Sequence, residues 1–269
     1  LLATPPTNWL RMGDNGSWKS PQWLIPSNEN KDKVSNYSFD FDGVDDYVDL
    51  GNSFNSVFIG TAWSFSAWIK VSANSSYDCF FSKGFALQFY IHLNKVKIYL
   101  GYPYLTNINP LISAETILVN TWYHIAFTRS GNDNVLYINS SSDATATSVG
   151  SVGTSTAELI IGAATTTPVY PFQGNIDEVA VFDYALTQQN VTDIYNSGTP
   201  NDITSLTPSG YWRMGEDATF SGGVWTVPDA VGSNDGTSAN MTIEDRVGEA
   251  PNSSNNAVSL NMDFADVVT

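Results

Sequence analysis

Cysteine is almost absent. The single Cys79 can form no bridge within the chain, and 269 residues can bury a sizeable core without one. Basic residues are scarce too: 11 lysines and arginines stand against 27 acids, giving a formal charge of −16, and beyond Lys97 the only bases are Arg129, Arg213 and Arg246. Nucleic acid and anionic membranes both require a basic stripe that releases counterions, so neither is expected as a partner. No apolar run approaches the roughly 18 residues that a membrane-spanning helix needs, so no membrane insertion is expected. Residues 1–6 (LLATPP) lack the basic start and the length of a signal peptide, and the chain is expected to begin inside a longer precursor. What remains, 42% apolar and 13% aromatic residues with only 14% charged, is the composition of a globular domain with flanking segments.

A repeat without gaps links the two ends of the chain. Residues 6–26 (PTNWLRMGDNGSWKSPQWLIP) and 208–228 (PSGYWRMGEDATFSGGVWTVP) match at an offset of 202. Arg11/Arg213, Met12/Met214, Gly13/Gly215, Trp23/Trp225 and both bounding prolines are identical, while Trp9/Tyr211, Asp14/Glu216 and Trp18/Phe220 keep their chemical type. A weaker repeat at an offset of 21 joins residues 233–247 to 254–268 in the tail, and both resemble SNYSFDF at 35–41. The expected organisation is an N-terminal flank (1–36), a central domain (37–198), a second flank (199–228) and a strand-repeat tail (229–269).

The central region predicts an all-β sandwich or barrel. Short alternating runs are separated by Gly, Asn, Asp and Ser. Trp63, Phe65, Ala67 and Ile69 share one face and Ser64, Ser66, Trp68 and Lys70 the other; Phe85, Leu87, Phe89 and Ile91 alternate likewise and turn at residues 92–94 into Val96, Ile98 and Leu100. Further strands are predicted at 122–129, 135–138, 159–161 and 175–182. One helix is predicted, with Thr187 as N-cap, Val191, Ile194 and Tyr195 at helical spacing and Gly198 as the stop.

Residues 38–51 (SFDFDGVDDYVDLG) hold five of the twenty aspartates within ten positions. The spacing fails as an EF-hand, because Gly43 is fourth from Asp40 and Gly51 stands where a bidentate Glu is needed. Two readings remain: a hairpin turning at Asp42-Gly43 with Phe39 and Phe41 inward, or calcium bound through backbone carbonyls of that turn. This segment, SFSAWIKV (64–71), FSKG (81–84), NTWYHIAFTRSGNDNVLYIN (120–139), LIIG (159–162) and FQGNIDEVAVFDYALTQQNVTDIYNSG (172–198) occur in the order seen in laminin-G-like domains. The chain therefore resembles the concanavalin A-like jelly-roll superfamily over about 60% of its length, and the resemblance implies an antiparallel jelly-roll sandwich with one short helix. Family members usually read Asn-Gly where this chain has Asn139-Ser140, so that hairpin is expected to be longer or differently turned. The resemblance also implies a structural calcium held by Asp177 and the carbonyl of Gly43, for which oxygen ligands suit a hard cation.

No catalytic residues are assigned. Jelly-roll glycosidases need two carboxylates flanking the scissile bond, and the Glu-x-Asp-x-(x)-Glu strand motif is missing. Asp177 and Glu178 are adjacent, so strand alternation sends them to opposite faces. A cell-surface glycan is the expected ligand, gripped by Trp68, Gln88, Tyr90, His92 and Tyr99 on the polar phase of their strands. The flanking repeat offers an assembly reading, with Arg11, Met12, Trp23, Arg213, Met214 and Trp225 at joints between subunits. The reading that unites these features is a non-catalytic, calcium-stabilised adhesion module, extracellular or on a cell or virion surface. It resembles components of phage fibres and bacterial adhesins. The alternatives are a purely architectural subunit of a fibre, array or capsid surface, and a glycosidase.

Overall fold

The computed structural model describes residues 34–251 apart from 74–76, 102–109, 149–151 and 153–154, together with the strands Ser17–Lys19 and Gln22–Leu24. Two antiparallel sheets face each other. One runs in the order Ser141–Thr147, Asp133–Ile138, Trp122–Ser130, Ala62–Val71, Gln173–Phe182, Ser38–Asp42, Arg246–Val247, with Gly210–Trp212 added beside the far half of Gln173–Phe182. The other runs Thr219–Ser221, Val224–Val227, Gly236–Ala239, Tyr47–Asp49, Leu159–Ile161, Asp78–Lys83, Leu87–His92, Lys95–Leu100, Leu111–Ile112.

Alternation explains the core. Trp63, Phe65, Ala67 and Ile69 from one sheet and Leu87, Phe89, Ile91, Val96 and Ile98 from the other are all buried between them. Phe65 lies 4.3 Å from Phe81 and 4.6 Å from Phe89, ring centre to ring centre. Phe85 departs from the pattern: the strand begins at Leu87, and the Phe85 side chain stands exposed. The opposite face of Ala62–Val71 is also buried, because the Gln188–Tyr195 helix covers it with Val191 and Ile194. Thr187 caps that helix through a reciprocal box with Asn190, and Asn196 in the left-handed region ends it, two residues before the expected glycine.

Two turns differ from expectation. Asp42-Gly43 does not close a hairpin, since Ser38–Asp42 and Tyr47–Asp49 belong to different sheets; the turn carries the chain around the edge of the sandwich. Gly43 has φ +78, and a Cβ there would sit 2.7 Å from the Gln173 Cβ. Asn139-Ser140 is not a longer loop either: Ile138 pairs with Ser141, and both turn residues have positive φ, 49 and 65. Such a two-residue turn favours Asn-Gly, so Ser140 carries strain that glycine would not. Ser140→Gly should raise stability by about 0.5–1 kcal/mol, read from the midpoint of urea denaturation.

The chain beyond residue 199 completes both sheets and is not a separate flank. Trp212, Met214, Trp225, Val227 and Met241 lie in the same core as Phe39 and Phe65. Trp225 packs on Phe39 with ring centres 5.2 Å apart, and Gly236–Ala239 bridges Val224–Val227 to Tyr47–Asp49. The second tail copy, 254–268, lies outside the described residues. The N-terminal copy is described only as its strand pair, in which Trp18 opposes Trp23, the same register as Phe220 opposite Trp225.

Candidate functional site

The outer face of the sheet containing Leu87–His92 and Lys95–Leu100 gathers aromatic and polar side chains. The register sets Gln88 opposite Tyr99 and Tyr90 opposite Lys97, so the residues facing away from the core line up across both strands. Tyr90 and Tyr99 stack at 5.2 Å with their planes 16° apart. Tyr77 stacks on His92 at 4.0 Å, meets Tyr90 edge-on at 5.4 Å and lies 4.9 Å from Tyr170. Tyr170 reaches this face because its backbone is left-handed, φ 56, and its carbonyl accepts from the Cys79 N–H at 2.9 Å. It is 40% exposed.

Polar groups edge this platform. The Lys97 ammonium donates to His92 Nδ1 at 2.9 Å, and burial together with that cation pushes the imidazole below its ordinary pKa, which leaves it a neutral acceptor. Burial drives the Tyr90 hydroxyl well above its usual range, so it stays protonated and able to donate. Gln88 Nε2 is buried without a hydrogen-bond partner. Of the five residues expected to bind glycan, Gln88, Tyr90, His92 and Tyr99 thus come together.

Trp68 does not join them. It lies on the other sheet, 2% exposed, stacked on Tyr195 of the helix at 5.6 Å and 5.2 Å from His124. Its strand phase was read correctly, but the helix covers that face. Trp68→Ala should therefore cost about 3–5 kcal/mol of stability through the cavity it opens, measured by chemical denaturation. Tyr77 and Tyr170 escaped the sequence reading because each sits just outside a strand, where alternation gives no signal.

The residues expected to hold calcium are separated. Gln173 pairs with Asp42 and lies against Gly43, four positions along the strand from Asp177. At about 3.3 Å per residue the two are some 13 Å apart, too far to share an ion. Each belongs instead to its own acidic group, Gly43 to the Asp42, Asp45 and Asp46 turn and Asp177 to a cluster with Glu178 and Glu216. In the turn, Asp42 Oδ1 accepts from the Val44 N–H at 2.7 Å and Asp46 Oδ2 from the Asp42 N–H at 3.0 Å. Partial burial pushes the Asp46 carboxyl up to about 7.

A β-bulge builds the second cluster. The pairing of Gln173–Phe182 with Ala62–Val71 shifts between Asp177 and Ala180, and Glu178 takes φ 50. Strand alternation fails there, and the Asp177 and Glu178 carboxylates meet with Glu216 to within 4.8 Å. Ser35 Oγ and the Glu178 N–H donate to Asp177; the Tyr211 hydroxyl donates to Glu178, with Arg213 Nε 3.4 Å from it; the Asn36 and Tyr37 N–H groups donate to Glu216. Burial is the main cause that drives all three up: Asp177 well above the carboxylate range, Glu178 to about 7 and Glu216 to about 8. Glu216 Oε2 is buried with no partner. Three carboxylates, one of them with the unpartnered Glu216 Oε2, offer oxygen ligands of the kind a hard cation takes, so Asp177, Glu178 and Glu216 are the residues that would hold calcium, which would supply fixed positive charge. Glu178 and Asp177 are too buried to flank a sugar.

Arg213, Met214 and Trp225 were expected at a joint between subunits, and each is engaged inside the domain. The Arg213 guanidinium donates to the Val34 carbonyl, Met214 is fully buried, and Trp225 Nε1 donates to the Thr242 carbonyl at 2.7 Å. Arg11, Met12 and the Trp23 side chain lie outside the described residues.

The Laminin_G_3 profile, described as the concanavalin A-like lectin/glucanases superfamily, matches residues 42–192, more than half of the chain. The chain belongs to this superfamily. Among solved structures, a candidate carbohydrate binding protein from Bacteroides ovatus superposes with TM-score 0.61 at 18% identity, over 81% of this chain and 61% of that one. Mouse laminin α1 chain domains LG4-5 give 0.44 at 12% identity, over 57% and 44%. Trypanosoma rangeli sialidase gives 0.45 at 12%, over 60% and 27%. At these identities the first likeness is one of fold, and the other two carry no argument about activity. No curated protein matches the chain. Among the described residues no helix is long and apolar enough to cross a membrane.

Proposed function

We propose that this laminin G-like domain is a non-catalytic adhesion module that binds glycan across the face formed by Tyr77, Tyr90, Tyr99, Tyr170, His92 and Lys97. The observation that carries the reading is the run of four tyrosines and a stacked histidine, partly open to solvent and edged by an ammonium and an unpartnered amide. Sugars present C–H faces that pack on aromatic rings and hydroxyls that need directed donors and acceptors, and this face offers both. Membership of the concanavalin A-like lectin/glucanases superfamily and the fold shared with a candidate carbohydrate binding protein support binding of carbohydrate. Calcium at Asp177, Glu178 and Glu216 would fix the seam between the strand bulge and the segment carrying Glu216. The setting this implies is extracellular, on a cell or virion surface.

A glycan array probed with the purified chain, once in calcium and once in chelator, tests this. Specific binding to one glycan class is the expected result. A blank array in both conditions, with the protein folded, overturns it and favours an architectural subunit whose tyrosine face is covered by a contact of more than about 1,000 Å².

A further inference from the structure

We propose that Lys70 and Asn175 condense within the folded domain into an intramolecular isopeptide bond, which clamps the two central strands of one sheet together. This is independent of the glycan reading. The pairing sets four side chains in one row: Trp122 lies opposite Lys70, Lys70 opposite Asn175 and Asn175 opposite Asp40. Residues directly opposite share a face, with Cβ atoms about 4.5–5.5 Å apart. The neighbouring row, Ile69, Ile176 and Phe39, points into the core, so this one faces outward. Lys70 and Asn175 are nevertheless buried, 7% and 4% exposed.

The ion pair in this row crosses the amide. Lys70 Nζ meets Glu249 Oε1 at 2.5 Å and stands 5.9 Å from the centre of the Trp122 ring. Glu249 is anchored from the far side of the Asn175 strand, where the Ser38 hydroxyl donates to the Glu249 carbonyl at 2.5 Å. Lysine from one neighbouring strand and glutamate from beside the other therefore meet across the strand that carries Asn175. An amine, a side-chain amide and a carboxylate within reach of both are the parts that such a condensation needs.

The step balances without an oxidant or a co-reactant. Glu249 takes a proton from the Lys70 ammonium, and the free amine attacks Asn175 Cγ. The Nζ–Cγ bond forms, the Cγ–Nδ2 bond breaks, and Nδ2 leaves as ammonia with the proton that Glu249 returns. Partial burial raises the Asp40 carboxyl above its ordinary value and favours the protonated form, which can donate to Asn175 Oδ1 as charge develops there. Ammonia diffuses away, so the bond stays closed.

The intact mass of the full, folded chain tests the bond. It should fall short of the sequence mass by one ammonia, about 17 Da, while Lys70→Arg, which keeps a cation for Glu249 but has no nucleophilic amine, should show its full sequence mass. Proteolysis should release one branched peptide joining the segments around residues 70 and 175. Glu249→Gln should fold and remain unlinked. The bond closes a loop of about a hundred residues, so Lys70→Arg should also melt about 10 °C lower or more. Full sequence mass in the unaltered chain overturns the proposal. A deficit that persists in Lys70→Arg overturns it as well, because the ammonia is then lost elsewhere.

Discussion

In chelator, stability should fall by several kcal/mol, on the order of 5, between pH 5 and pH 8 as the buried carboxyls Glu178 and Glu216 lose their protons. Glu178 and Glu216 have folded-state pKa values raised to about 7 and about 8, above their unfolded values. The fold therefore holds protons that the unfolded chain has released. Their contribution is fully present below about pH 4.5 and is lost as pH rises through the folded values, at about 1.4 kcal/mol per pH unit for each proton held. Asp177 and Asp46 are raised as well and act in the same sense. Calcium held at the proposed site would compete for the same oxygens and bind the native state, so its stabilising effect should be large at pH 8 and small at pH 5. Melting temperatures across that range, with and without calcium, give the answer. Glu216→Gln should flatten the chelator profile and abolish most of the calcium shift. A profile that is flat in chelator, or rises toward pH 8, would refute the buried-proton account. A calcium shift kept in Glu216→Gln but lost in Asp42→Asn would move the ion to the Asp42–Asp46 turn.

Periodicity made the central sheets legible. Trp63, Phe65, Ala67 and Ile69, or Leu87, Phe89 and Ile91, alternate strictly and all face the core. Non-alternating segments were harder: Ser141–Thr147 (SSDATAT) is a polar edge strand with no buried stripe to announce it. The bulge at Asp177–Ala180 defeated the rule most consequentially, since one extra residue put two adjacent carboxylates on one cluster. The repeat was visible as sequence, yet its position inside the sandwich was not, because nothing in residues 208–228 says which edge they close. The glycan face was half legible. Gln88, Tyr90, His92 and Tyr99 follow from strand phase, while Trp68 was misplaced because phase names a face and not what covers it.

That distinction yields the sharpest test of the binding face. Tyr77→Ala and Tyr99→Ala should each weaken binding to the glycan found on the array about 10- to 100-fold, the loss of about 1–3 kcal/mol expected when one face of an aromatic clamp is removed. Both side chains are partly open to solvent on the outer face of the sheet, so the melting temperature should change little. Trp68→Ala should do the reverse, lowering stability while leaving the affinity of the folded fraction intact, because the ring stacks under the Gln188–Tyr195 helix on the other sheet. Tyr90→Phe adds a finer reading: it keeps the stack with Tyr99 and removes only the hydroxyl, so a loss of more than tenfold would place that hydroxyl on the sugar. If Trp68→Ala weakens binding at unchanged stability while Tyr77→Ala and Tyr99→Ala do nothing, the site lies on the helix-covered sheet and the tyrosine face is only packing.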